Sequence, residues 1–168
     1  MNRAQRRAAE HKRAPTGRTF NPTAWAEVIV GSRETDAALA DVIAIRVRDA
    51  FVQLSRGTTD HDMFDRVACA LNVGLIRAEA IDTLLEQSML AGRDALMHCD
   101  RIYASHGRYG FTGPGLAAMD QALEAYEAIL RASTPHQMRQ AMLTSLQRMH
   151  AGHVLAPLPP TTPNEFQS

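Results

Sequence analysis

Apolar residues recur at spacings of three and four through nearly the whole middle of this chain, a period that suits amphipathic α-helix and little else. From about Asp36 to Arg56, Leu39, Ile43, Val47, Ala50, Phe51 and Leu54 share one face, and Gly57 follows as a C-terminal stop. A segment opening at Thr59 carries Phe64, Val67, Ala68, Leu71 and Leu75, and the next carries Ile81, Leu84, Leu85, Met89, Leu96, Cys99 and Tyr103. Beyond a glycine-rich break come Leu116, Met119, Leu123, Tyr126, Ile129 and Leu130, then Met138, Met142, Leu146 and Met149. Nowhere does an alternation of period two reach the length of a strand.

The starts and stops agree with the period. Asn21-Pro22, Pro114 and Ser133-Thr134-Pro135 each place proline at the first helical position, where its missing N–H costs nothing. The first of these opens a short segment with Trp25, Val28 and Ile29 on one face, ending at Gly31. Asp60 and Asp62 sit in a first turn, where carboxylates complement the helix dipole. Whether residues 59–105 form one helix or two turns on Asn72–Gly74. A lone glycine costs about 1 kcal/mol relative to alanine and is tolerated, so one long helix, straight or kinked, is the expectation.

Composition points the same way. Hydrophobic residues make up 45% of the 168 residues but aromatics only 5%, and the Ala, Leu and Met that dominate lose little rotamer freedom in a helix. A body of about 150 residues buries roughly 70% of its unfolded surface and needs no staples. The expected fold is all-α, an antiparallel bundle of five to six helices over residues 21–155. Residues 1–20 read as a disordered basic arm. Residues 156–168, APLPPTTPNEFQS, read as a proline-rich tail with polyproline character.

Two cysteines, Cys69 and Cys99, each lie inside an apolar stretch and read as reduced core residues, not as a secreted disulfide framework. No run approaches the roughly 18 apolar residues of a membrane span, and no apolar segment follows the basic N-terminus as in a signal peptide. A cytoplasmic protein with no membrane partner is therefore expected.

Lys+Arg and Asp+Glu both total 18, but the charge is unevenly placed. Arg3, Arg6, Arg7, Lys12, Arg13 and Arg18 stand against Glu10 alone within residues 1–20, a net of +5, which leaves −5 on the rest. Such an arm neutralises phosphates and gives salt-dependent, sequence-independent affinity for nucleic acid, or it is simply a solubilising tail. The preference for Arg over Lys, with Lys12 the single lysine, also fits a high-GC genome.

The sequence carries no recognised catalytic or metal-binding signature. His98-Cys99 with His106, and His150 with His153, lack the HExxH and CxxC spacings that put ligands on one face. On a helix His98 and Cys99 point about 100° apart. Ser88 and Ser105 sit in no GxSxG elbow. Asp60, Asp62 and Asp65 read as a solvated helix start, and Glu124 and Glu127 as a polar helix face. No enzyme, cofactor or metal is expected.

The remaining candidate is the loop His106–Gly113, HGRYGFTG. Gly107, Gly110, Gly113 and Gly115 flank Arg108, Tyr109 and Phe111 just before a helix. Backbone N–H groups there suit an anion, yet no Walker lysine follows and no strand precedes. Two readings stand: a tight connection whose aromatics fold back onto the bundle, or a partner-binding loop anchored by Arg108, Tyr109 and Phe111. A helix-turn-helix over residues 114–150, with Gln137, Arg139, Gln140, Gln147 and Arg148 as readers, is a pattern many helical hairpins would match.

The opening MNRAQRRAAEHKR and the segment GRYGFTGPGLAAMDQALEAYEAIL resemble small uncharacterised proteins of phages and integrated elements of high-GC proteobacteria, some loosely labelled Fis-like regulators. The resemblance implies an accessory role in a mobile element and carries no catalytic residues. A Fis-type chain ends in its DNA-reading helices, whereas this one ends in a proline tail. The functional expectation is a non-catalytic interaction protein that binds a protein partner through the Arg108–Phe111 loop and adjacent helix faces. The alternative is a DNA- or RNA-associated regulator using the basic arm. Apolar helix faces left over would favour a homodimer.

Overall fold

Satisfied helix ends divide the chain as the period suggests, with one exception. The computed structural model describes residues 36–151, which form five α-helices: α1 (Asp36–Ser55), α2 (His61–Ala78), α3 (Thr83–His106), α4 (Gly113–Ala132) and α5 (Pro135–His150). No strand occurs among the described residues. The basic arm, the segment around Trp25, Val28 and Ile29, and the proline-rich tail lie outside them.

Each boundary has a local cause. At the end of α1, the Gly57 N–H donates to the Leu54 carbonyl and the Thr58 N–H to that of Gln53, while Gly57 takes φ +85°. This left-handed stop is open to glycine at little cost. The Asp60 carboxylate accepts from the Asp62 N–H to start α2. Thr112 caps α4 by accepting from the Gly115 N–H. Thr134 opens α5 in a capping box with Gln137, followed by Pro135.

The exception is the stretch 59–105, which is two helices and not one. The break falls at residues 79–82, well past Gly74. Asp82 takes an extended conformation and its carboxylate accepts from the Leu84 and Leu85 N–H groups. That cap rewards a fresh start, and Ala80 and Ile81 close the turn by donating to the carbonyls of Arg77 and Ala78. Gly74 instead lies within α2, where a Cβ would meet the end of Met89 and the ring of Tyr126. Its lack of a side chain serves close packing. Ile81 and Leu84, expected on the inward stripe, are 38% and 72% exposed because they belong to the turn and the first helical turn after it.

α2, α3 and α4 pack antiparallel in sequence order. Gly74 approaches Met89 while His61 approaches Tyr103, which fixes opposite senses for α2 and α3. A Cβ on Gly92 would collide with that of Ala122, while Gly115 faces Ala95, so α3 and α4 are also antiparallel and unusually close. Arg48 donates to Glu127 at 2.7 Å and Arg131 reaches Asp41 at 3.6 Å, setting α1 against α4. The first pair is part-buried and the second exposed, so the second fixes register more than it stabilises. α5 crosses the C-terminal end of α2, held by Arg148 to Glu79 and by Arg77, whose Nε donates to the Ser133 hydroxyl. Val47, Val67, Met89, Met119 and Ile129 are fully buried at the centre.

Candidate functional site

The loop between α3 and α4 closes one end of the bundle. It leaves α3 through Gly107, at φ +73°, whose N–H donates to the Tyr103 carbonyl. Two residues later the Tyr109 N–H donates to the Thr58 carbonyl at 3.1 Å, tying this loop to the α1–α2 connection. The Tyr109 ring turns inward and is only 1% exposed. It stacks on Phe64 with centroids 5.1 Å apart and on Tyr103 at 4.5 Å. Burial of this kind, with ring faces offset and nearly parallel, is the main source of stability an aromatic side chain offers.

His61 joins the cluster from the first position of α2. Its Nδ1 lies 2.6 Å from the Tyr109 hydroxyl and its Nε2 lies 3.2 Å from that of Tyr103. A neutral imidazole has one donor and one acceptor nitrogen, so one phenol donates to the ring and the other accepts from it. An imidazolium has two donors, and both phenols would then have to accept. The arrangement therefore couples the loop, the start of α2 and the end of α3 through one side chain.

The three loop residues singled out by sequence take different roles. Tyr109 is inside. Phe111 is half-buried and meets Phe51 edge-on, with centroids 5.5 Å apart. Arg108 is exposed, and its side chain runs across the Gly57 turn, within 4 Å of the position a Gly57 Cβ would occupy. There it lies at the C-terminal end of α1, where the helix dipole favours a cation. The aromatics fold back onto the bundle and the guanidinium is left facing outward. His61, Tyr103 and Phe64 complete the site. Tyr103 and Phe64 were visible as inward stripe members, but nothing in the local sequence marks His61 as the partner of two phenols.

Beneath the loop, Cys99 receives a backbone hydrogen bond from Gly110. Burial pushes its thiol up to about 11, with the Gly110 contact pulling down and the Asp100 charge adding a smaller rise. Burial likewise pushes Cys69 up to about 12, helped by Asp65. Both are neutral thiols in the core, unsuited to nucleophilic work near pH 7. Among the described residues no group of three His, Cys, Asp or Glu side chains converges as a metal site would require. No described helix is long and apolar enough to cross a membrane.

Of the residues considered for nucleic-acid reading, Arg148 is paired with Glu79 and Gln137 is held in the capping box of α5. Arg139 and Gln140 are exposed. Arg3, Arg6, Arg7, Lys12, Arg13 and Arg18 lie outside the described residues. Compared with known proteins, the chain matches no family model, no curated protein and no solved structure.

Proposed function

We propose that this chain is a non-catalytic interaction protein that engages a protein partner with the end of the bundle carrying Arg108. The observation behind this reading is an exposed arginine on a loop already fixed in shape. Tyr109 and Phe111 are packed inward and the loop backbone is bonded to Thr58. A partner meeting such a loop pays little to order it, so more of the contact energy appears as affinity. Arginine is also among the residue types that carry most binding energy at interfaces, and its fork suits a carboxylate on the partner. In this reading Arg108 makes contact, while Tyr109 and Phe111 hold it in place. An accessory role in a bacterial mobile element is the setting that the resemblance of residues 1–13 and 107–130 suggests.

The charge imbalance favours one second reading, a DNA- or RNA-associated regulator using the arm of residues 1–20. Affinity co-purification of the tagged chain from host lysate, at low and moderate salt with and without nuclease, separates the two. A discrete protein retained at moderate salt after nuclease, and lost with Arg108→Ala, supports the lead reading. Nucleic acid recovered at low salt and lost on deleting residues 1–20 overturns it in favour of the regulator. Sedimentation of the purified chain reports whether a homodimer forms.

A further inference from the structure

Arg56 and Arg108 stand far apart in sequence, yet the fold brings both to the turn that ends α1. Arg56 is the last residue before the Gly57 stop, and its N–H donates to the Val52 carbonyl at 3.2 Å. The Arg108 side chain crosses the same stop. Its Cδ and one guanidinium nitrogen lie 3.9 and 3.6 Å from the position of a Gly57 Cβ, with the Tyr109 carbonyl beside them at 3.5 Å. Both arginines are exposed, and neither forms an ion pair or a side-chain hydrogen bond among the described residues. The carboxylates nearest in sequence are already engaged. Asp60 accepts from the Asp62 N–H to cap α2, and Asp49 accepts from Nε2 of Gln53 at 3.0 Å.

Two like charges held at one turn repel each other. The negative end of the α1 dipole offsets part of that repulsion, and an anion from outside offsets more. The floor under them is fixed. Gly57 holds φ +85°, and the Tyr109 N–H is bonded to the Thr58 carbonyl. The stem of Arg108 rests on this backbone, so little side-chain freedom remains to be lost when an anion binds.

Resting on the reading that this end of the bundle engages a protein, we infer that Arg56 and Arg108 together receive an acidic segment of that protein, one with at least two neighbouring Asp or Glu carboxylates. A guanidinium fork accepts carboxylate and phosphate alike, so the surrounding charge decides between them. Residues 36–151 carry eleven arginines and no lysine against fourteen Asp and Glu, a net of −3. A nucleic-acid duplex, with a phosphate for about every 1.7 Å of axis, would lay most of its charge on surface that is neutral or acidic. A short acidic peptide segment touches the pair and little else.

Fluorescence anisotropy of a fluorescein-labelled tetraglutamate peptide, titrated with the full-length protein at low ionic strength, tests the pair directly. A tetraglutamine peptide is the uncharged control. The acidic peptide is expected to bind and the control to stay free. Arg56→Gln and Arg108→Gln should each weaken binding about fivefold, the upper end for an exposed ion pair, with far-UV circular dichroism unchanged. Arg108→Lys should recover part of the loss, because the charge returns without the fork. Binding that both Gln variants leave intact overturns the inference, by assigning the peptide to residues 1–20. A short DNA duplex that binds more tightly and is weakened equally by both variants overturns it in favour of nucleic acid. Failure of the acidic peptide to bind overturns it as well, and co-purification from lysate then separates the two levels. A protein that is still lost with Arg108→Ala keeps the interaction reading, whereas no such protein overturns both.

Discussion

The Tyr109 hydroxyl lies 2.6 Å from Nδ1 of His61, a contact between residues 48 positions apart that fastens the α3–α4 loop to the start of α2. The same Tyr109 ring is stacked between Phe64 and Tyr103. Removing the hydroxyl and removing the ring therefore test different energies. Tyr109→Phe keeps the stack and should cost about 1 kcal/mol, the usual net worth of one hydrogen bond. Tyr109→Ala empties a core position and should cost about 3–5 kcal/mol. Urea denaturation measures both. A double-mutant cycle with His61→Ala should show coupling between the two sites, and zero coupling would mean the bond is not formed in solution.

At Gly92, α3 and α4 approach closely. A Cβ there would collide with that of Ala122, a backbone-anchored atom that cannot swing away. Gly92→Ala gains about 1 kcal/mol in helix propensity but forces the helices apart. Overpacking of this kind costs about 1–3 kcal/mol, so the net effect should be destabilising or at best neutral, against the usual trend for glycine in a helix. The pair Gly92→Ala with Ala122→Gly restores the missing space. Its thermal midpoint should exceed the value obtained by adding the two single effects.

Gly107 isolates a pure backbone effect. Nothing lies within 4 Å of a Cβ added there, so the space is open, yet φ is +73°. Gly107→Ala should cost about 1–2 kcal/mol from left-handed strain alone. Gly107→Asn should cost less, because asparagine tolerates that region better. Equal losses for both, read by chemical denaturation, would point to some other contact at this turn.

The two buried thiols contribute to a loss of stability at alkaline pH. An unfolded cysteine ionises near the ordinary value of 9.0, whereas burial holds Cys99 up to about 11 and Cys69 up to about 12. The native state keeps protons that the unfolded state gives up, so this contribution is complete below pH 9 and is lost as pH rises to 11–12. Each thiol accounts for at most about 1.4 kcal/mol per pH unit across that window. The urea midpoint should be flat from pH 7 to 8.5 and fall between pH 9 and 10.5. Cys69→Ala with Cys99→Ala should reduce the fall, most clearly between about pH 9 and 10. Tyr126, raised by burial and by nearby Cys69, adds its own loss from about its ordinary value of 10.0 upward, overlapping the thiol window. In the native protein at pH 8 neither thiol should react with a disulfide reagent until the chain unfolds.

The sequence alone settled the all-helical class, the inward faces of α1, α4 and the start of α5, the stop at Gly57, and the Thr134-Pro135 start. All of these rest on interactions between residues a few positions apart: apolar spacing, a side-chain oxygen reaching the next turn, a glycine in a left-handed conformation. Tertiary structure decided the rest. The break at residues 79–82 competed with a helical period that runs through it, and Asp82 prevailed where Met89 and Tyr126 had to pack beside Gly74. The loop aromatics had no local reason to point inward or outward. Tyr109 is buried because Phe64, Tyr103 and His61 arrive from two helices to receive it, and Phe111 turns in toward Phe51. Arg108 is left outside because its charge cannot follow them without losing its hydration.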